Sequence, residues 1–281
     1  MGQRVARSLR ESGYGVRDER TTAPGDAAKL AAETAGWSVV VAIGGDGTVH
    51  EVLNGLMTVE RARRPVLGVV PAGTGNDYAQ TLGVPLHDPE AAAQALLEAP
   101  VKRVDVGRLE GTERGKIFFG VGIGFAMMAA ANAELQRSRP LPGKLSYFVS
   151  GVIALLTFEA PELLLTIDEA SGSGRFMIVH IGLCPTTGGG FRLTPDAGLE
   201  TGRLHVSTVT NRSKLLGLLQ WPWISRGRLL QGIQILQGKR VRVEGEPGLF
   251  VHVDGELIQV PTGIVEASLL PRELEVLTGA T

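Results

Sequence analysis

Two short turns concentrate the residues able to do chemistry. Gly44, Gly45, Asp46, Gly47 and Thr48 follow the apolar ribbon "WSVVVAI", and Gly73, Thr74, Gly75, Asn76 and Asp77 follow "PVLGVVPA". Five of these ten positions are glycine, so bare backbone can approach an anion and aim N–H groups at it. Each turn leads into a helical pattern, whose N-terminus adds favourable potential for negative charge. A phosphate group suits such a pair of turns. Ordinary structural roles compete with this reading. Thr48 with Glu51, and Asp77 with Gln80, have the capping-box spacing and would simply start helices.

Several familiar sites are excluded. No Gly-Lys-Ser/Thr is present, so neither turn is a Walker A loop. "GVGIGFAM" at 120–127 has the wrong spacing for a dinucleotide fingerprint. His50-Glu51 is followed by Asn54 where a zincin needs its second histidine, and there is no G-x-S-x-G elbow. Cys184, the one cysteine, has no motif around it and reads as a small core residue; a lone cysteine also forms no internal disulfide.

The elements that position the turns alternate up to about residue 105. "GQRVARSLRESG" is helical, "YGVRDERTT" extended, "PGDAAKLAAETAG" helical and 37–43 a strand. "HEVLNGLM" is helical, 65–70 is a strand, and a helix begins at 77. Strands separated by helices imply parallel pairing in an α/β layer, where ligands gather at the carboxyl edge. Beyond residue 106 strands dominate: "KIFFGVGIG", "ELLLTID", "RFMIVHIGLC", "RLHVSTVT", "KRVRVE", "LFVHVDGELIQV" and "IVEASLL". Helical patterns interrupt them near 125–158 and 212–232, and "EGTERGK" and "TPDAGLETGR" read as surface turns. The second half is therefore expected to be mostly antiparallel, a sandwich or partly open barrel.

At 281 residues, 43% apolar and 20% charged, the chain can bury two cores. A formal charge of −1 argues against nucleic acid as a partner. The most apolar segment, 145–158, is too short to span a bilayer. No signal-peptide run or myristoylation signal opens the chain.

"AIGGDGTVHEVLNGL", "PAGTGNDYAQTLGVP", "RVDVG", "FFGVGIGF" and "VHVDGE" occur in this order. Together they resemble the diacylglycerol kinase catalytic-domain family, which includes sphingosine and ceramide kinases, over residues 2–278. His50 resembles the sphingosine-kinase version of the first loop. The resemblance implies an NAD kinase-like α/β domain at 1–107 and a β-rich lipid-substrate domain at 108–268. A tail at 269–281 would return to the first. It implies ATP and Mg²⁺ as cofactors and transfer of the γ-phosphoryl group to a lipid hydroxyl, diacylglycerol being the expected acceptor.

The nucleotide positions implied are Thr21, Gly44, Gly45, Asp46, Gly47, Thr48, Val49 and His50, with Gly73, Thr74, Gly75 and Asn76. Asp46, the only carboxylate in the first turn, could orient Mg²⁺ near the phosphates. Arg103, Asp105 and Lys144 match polar positions around the cleft, or are ordinary surface charges. Asp254 and Glu256 are the implied catalytic carboxylates, either being the base. Asp-Gly between alternating apolar runs is also a strong hairpin signal. An NAD kinase-like enzyme and a catalytically silent relative remain the alternative readings.

Two departures from the family pattern matter. The family's opening strand, ending in Asn-Pro-x-x-Gly, has no counterpart before Gly2, so an upstream strand is expected. At 200–202 Glu-Thr-Gly replaces Asp-Asp-Gly, which leaves Thr201 and the carbonyls of Gly198 and Arg203 as a poor magnesium site; no protein metal site is expected. A lipid substrate implies a cytoplasmic protein peripheral to the inner face of the membrane, with a second copy of the chain as a further candidate partner. Segment 215–230, with Trp221, Trp223, Arg226 and Arg228, suits either an interface or packing on the second domain.

Overall fold

The computed structural model describes residues 2–86, 88–130, 159–210 and 233–279. Lys144, segment 215–230 and most of the two late helical patterns lie outside the described residues. The first half holds α1 (Gly2–Glu11), α2 (Asp26–Ala32), β1 (Val39–Gly44), α3 (Asp46–Leu56), β2 (Val66–Pro71), α4 (Asp77–Thr81) and α5 (Pro89–Leu97). β1 and β2 are parallel, with Gly44 opposite Pro71, so their carboxyl ends finish level and deliver both glycine turns to one place.

Strands then follow: β3 (Val101–Thr112), β4 (Gly115–Phe119), β5 (Gly122–Ala126), β6 (Glu162–Ile167), β7 (Ala170–Gly182) and β8 (Leu204–Thr210). β9 (Gln234–Gly238), β10 (Arg240–Glu244), β11 (Leu249–Val253), β12 (Glu256–Val260) and β13 (Ile264–Leu277) complete the set. All pairings among β3–β13 are antiparallel. The fold is the α/β half with a parallel pair, joined to a mostly antiparallel β-rich half, that the sequence pattern predicts.

Two long strands join the parts. β7 pairs with β6 through 170–175 and with β5 and β8 further along. β13 runs between β3 and β10, and Val276 reaches Leu67 of β2 in parallel. β13 can do this because it bends between Leu270 and Leu274, where Arg272 takes φ 51°. Asp105, 1% exposed, holds the bend: its carboxylate accepts from the N–H of Arg272 (2.9 Å) and of Gly202 (2.7 Å). Beside it the Thr201 hydroxyl lies 3.1 Å from the Gly198 carbonyl and 3.2 Å from that of Arg203. Asp105 is thus a buried clamp and not a surface charge, whereas Arg103 is a surface residue paired with Glu275 at 2.9 Å.

Some local expectations fail for identifiable reasons. Residues 14–22 form no strand; their side chains are exposed or half-buried, and Arg17 pairs with Glu19 instead of a sheet neighbour. Among the described residues β1 pairs only with β2 and stands at the sheet's edge. "KIFFGVGIG" is two strands, broken at Gly120–Val121 where the N–H groups turn toward Asp254. Neither capping box forms. α3 starts at Asp46 with Gly45 as its cap residue, and Glu51 accepts from the N–H of Gly25 and Ala27, clamping α2 to α3. "TPDAGLETGR" is a partly exposed turn region, with Asp196, Glu200, Thr201 and Arg203 at the surface and Thr194, Ala197 and Leu199 buried.

The Asp105 clamp yields a stability test. Asp105→Ala takes the acceptor from two part-buried backbone donors, of Gly202 and Arg272, at up to about 1–3 kcal/mol each. Denaturant unfolding of purified protein is expected to show a loss of that order. A loss below about 0.5 kcal/mol, the range of ordinary surface substitutions, would show that the clamp is unimportant.

Candidate functional site

The two glycine turns pack backbone to backbone. A Cβ on Gly73 would lie 2.4 Å from the Cα of Gly45, so any side chain there would push the turns apart. Asn76, at φ 57°, closes the second turn by accepting from the Gly73 N–H and donating to the Gly73 carbonyl. Thr48 packs on Gly44, while space beside Gly47 is open. The start of α3 has no side-chain cap; α5, by contrast, is capped by Asp88. The first-turn amides of Asp46, Gly47 and Thr48 precede the first intrahelical bond, Val49 N–H to the Gly45 carbonyl, and remain available to an anion.

The implied nucleotide positions therefore separate. Gly44 to Thr48 and Gly73 to Gly75 form one wall. Val49 is buried with its N–H already bonded, Asn76 acts as a staple, and His50 points away into the protein. Thr21 stands exposed in the coil before α2, next to Thr22, whose N–H and hydroxyl bond Asp26.

Asp46 lies at the junction of the turns. Its Oδ1 accepts from the Tyr78 N–H at 3.1 Å, and Oδ2 faces Gly75. Burial raises its pKa, reinforced by the nearby charges of Asp77 and Asp254, against the opposing Tyr78 hydrogen bond. A cation beside Asp46 would relieve that repulsion. Among the described residues no group of three or more His, Cys, Asp or Glu side chains is placed to hold a metal alone. Phosphate oxygens would have to complete the shell of any Mg²⁺, which commonly binds through one or two carboxylates and substrate phosphates.

Asp77, buried and absent from the implied nucleotide set, is a third structural element of the site. It accepts from the N–H groups of Gly189 (2.8 Å) and Gly190 (3.2 Å). Gly188, Gly189 and Gly190 all have positive φ, so the loop folds tightly against Gly75. The run "TTGGG" was the sequence signal for it, and a buried partner for a helix-starting aspartate was the missing link.

Asp254 and His50 occupy the opposite wall. The β11–β12 hairpin turns through Asp254 (φ 44°) and Gly255 (φ 106°), so the Asp-Gly turn signal is correct. Yet the side chain also points inward and is almost wholly buried. Its Oδ1 accepts from Val121 N–H (3.0 Å) and Gly122 N–H (2.8 Å); Oδ2 accepts from Gly120 N–H (2.8 Å) and lies 3.1 Å from His50 Nδ1. Burial works against its charge, but the His50 bond and charge and the backbone donors outweigh it and lower the pKa. An ionised Asp254 requires the proton of His50 to sit on Nδ1.

His50 Nε2 then carries the lone pair. Asn54 Nδ2 lies 3.4 Å away, but both its hydrogens go to the carbonyls of His50 (2.9 Å) and Phe118 (2.8 Å). Burial opposes the imidazolium, yet Asp254, followed by Glu256, raises the His50 pKa overall. Glu256 itself is held by Arg114 and is partly exposed. Cys184 is a core thiol whose pKa burial raises, with Sγ 3.5 Å from the Gly120 carbonyl.

Comparisons with known proteins agree with this architecture. Residues 1–109 match the family model of the diacylglycerol kinase catalytic domain, and 121–278 match that of the YegS C-terminal NAD kinase beta sandwich-like domain. The chain is 28% identical over 257 residues to the diacylglycerol kinase of Bacillus subtilis, covering 90% of this chain and 82% of that one. It is 31% identical over 252 residues to the "Probable lipid kinase YegS-like" of Chromohalobacter salexigens, covering 88% and 79%. A crystal structure of a diacylglycerol kinase from Bacillus anthracis superposes with a TM-score of 0.69 at 25% identity, over 92% of this chain and 83% of that one. An NAD kinase from Archaeoglobus fulgidus, solved in complex with ATP, shares the fold at TM-score 0.56 and 13% identity, over 99% and 89%.

The buried pair makes stability depend on pH. A raised His50 pKa stabilises the fold below the unfolded value of about 6.5, and that contribution fades as pH rises through the folded value. Asp254, with its lowered pKa, stabilises above about 3.9 and loses its contribution as pH falls through the folded value. The melting-temperature gap between wild type and His50→Gln is expected to be widest near pH 6 and to narrow as pH rises. A gap constant from pH 6 to 9 would show that no proton is shared here. Asp254→Asn sets an amide N–H₂ against backbone donors and is expected to cost about 3–5 kcal/mol.

Proposed function

We propose that this chain, which belongs to the diacylglycerol kinase catalytic-domain family and is a lipid kinase, transfers the γ-phosphoryl group of ATP to the hydroxyl of diacylglycerol, giving phosphatidic acid. The observation that carries this reading is the nearness along α3 of an uncapped helix start, two abutting glycine turns and a buried acid–histidine pair. ATP supplies the phosphoryl group when bound, and Mg²⁺ neutralises charge that develops on it.

The amides of Asp46, Gly47 and Thr48, with the turn Gly73–Gly75, hold the phosphates. Asp46 Oδ2 orients the cation, whose charge would offset the repulsion that raises its pKa. Thr21 contributes at the nucleotide's outer edge. The hydroxyl proton goes to the His50–Asp254 pair: the four acceptor directions of Asp254 are already filled, whereas His50 Nε2 has a lone pair and an orienting carboxylate behind it. Glu256, tied to Arg114, adds negative potential near His50. Because the acceptor is a lipid, the chain works peripherally at the cytoplasmic face of the membrane. Among the described residues no helix is long and apolar enough to cross one.

Incubating the protein with γ-labelled ATP, Mg²⁺ and vesicles containing diacylglycerol is expected to yield labelled phosphatidic acid. Asp46→Asn is expected to lower kcat by a factor of order 10²–10⁴, the scale at which removing one positioned charge-stabilising group acts, with the melting temperature nearly unchanged. Label appearing in NAD and in no lipid, or near-normal turnover by Asp46→Asn, would overturn this assignment.

A further inference from the structure

Five buried side-chain atoms among the described residues reach no hydrogen-bond partner: both ring nitrogens of His180, Nδ1 of His252, Nε2 of His205 and Oγ of Ser207. Buried polar groups in folded proteins are overwhelmingly paired, so each such atom calls for an explanation. All five lie on one face of one piece of sheet. His252 is opposite Gly124 on β5, Gly124 is opposite His180 on β7, and His180 is opposite Ser207 on β8. One row along, Gly122, Gly182 and His205 are likewise in register. The alternate residues of these strands, Ile123, Phe125, Val179, Ile181, Leu204, Val206, Val251 and Val253, form the other face and are packed in the main core.

Packing alone does not account for the polar face. A Cβ on Gly122 would come within 2.8 Å of His180 Cε1, and one on Gly182 within 2.9 Å of His180 Nε2. The same Cβ atoms would also meet the Ile181 carbonyl (2.8 Å) and the Thr194 hydroxyl (2.4 Å), so the imidazole sits in a crowded place in which neither ring nitrogen has a hydrogen-bond partner. Burial, and then the neighbouring His252, push the His180 pKa down to about 3, so the ring is neutral and offers one donor and one acceptor. A neutral row has nothing to balance a phosphate or carboxylate charge. It suits uncharged polar groups such as ester carbonyls.

The row also has a direction. One step toward β11's end is Asp254, whose N–H bonds the Gly122 carbonyl, and thereby His50. One step the other way is the apolar register Ala126, Ile178 and Val209, where Met127, Met128 and Leu193 pack. Two residues along a strand span about 6–7 Å, which is comparable to the separation of a glycerolipid's free hydroxyl from its ester carbonyls. His252, the least enclosed of the row, lies on the side nearest solvent.

We infer that this face is an ester-recognition subsite of the acceptor pocket, in which His180, His252 and Ser207 hydrogen-bond the acyl-ester groups of a diacylglycerol whose free hydroxyl lies at His50 and Asp254. This inference rests on the lipid-kinase reading of the same site. It makes the preferred acceptor an ester-linked glycerolipid and disfavours an ether-linked one of the same length.

Dioctanoylglycerol and its dioctyl ether analogue, in identical mixed micelles, separate the possibilities. Wild type is expected to favour the ester about 10- to 100-fold in kcat/KM, the range that unmet buried hydrogen bonds command. Ser207→Ala should lose most of that preference, leave KM for ATP unchanged and melt no lower than wild type, because it removes an unpaired hydroxyl. A second arm without nucleotide follows the histidine ¹⁵N resonances of the whole protein. The ester should shift His180 and His252, and the ether should not. Equal kcat/KM for the two lipids, or equal ¹⁵N responses, overturns the subsite. If wild type shows the ester-specific ¹⁵N shifts yet phosphorylates neither lipid, the subsite stands and the kinase reaction assigned to this acceptor falls.

Discussion

Everything in the site is built around one buried carboxylate. Asp254 brings a full negative charge to a position almost closed to water, which is sustainable only because four donors converge on it. Three of those donors are consecutive backbone N–H groups of Gly120, Val121 and Gly122, and obtaining them breaks the strand that would otherwise run from residue 115 to 126. The fourth comes from His50 on α3. One side chain therefore fixes the β11–β12 hairpin, the β4–β5 break and the helix that follows the first glycine turn. Asn54, one helical turn beyond His50, secures the same helix to β4 through both directions of its amide. The distance between His50 and the first glycine turn is set by α3 itself, a rigid spacer from Asp46 to His50.

Much of this was legible in the sequence. Apolar ribbons ending in glycine marked β1 and β2, and their parallel register follows from the helix between them. Asp-Gly between alternating apolar residues marked the hairpin. What local patterns could not convey was the second use of the same residues. Asp254 is at once a turn residue and a buried anion, because positive φ turns its side chain back toward Gly120. Glu51 has the spacing of a capping box but reaches the start of α2, which is near only after α2 and α3 pack. Asp105 looked like a surface charge since nothing near it in the chain needs an acceptor; its donors lie at Gly202 and Arg272, 97 and 167 residues away. Asp77 was read as a helix start because its partners, Gly189 and Gly190, come from the other half. Short-range rules found the turns, and long-range hydrogen bonding assigned them work.

The carboxylates also account for how the parts of the site stay together. Asp46, Asp77 and Asp254 converge, and like charges at close range would drive the walls apart. Asp77 and Asp254 are discharged into backbone N–H groups, at Gly189–Gly190 and at Gly120–Gly122 respectively. Asp46 accepts from the Tyr78 N–H through Oδ1, and burial raises its pKa. Two of the three carboxylates are thus spent on structure.

Departures from good packing concentrate in the same region. Among the described residues, of the five non-glycine residues with positive φ, three (Asn76, Ala126 and Asp254) flank the glycine turns or the histidine row, and a fourth, Arg272, sits at the bend Asp105 holds. The unpaired histidine and serine atoms lie on the sheet face continuous with Asp254, while the opposite face beside them is apolar apart from the buried Thr208. A sequence selected for stability alone would place apolar side chains at 180 and 207. Both faces share the same strands, the same twist and the same strand ends. The contrast between them therefore reflects what each face meets: the core on one side, and on the other, in the subsite inferred above, a ligand with polar groups of its own.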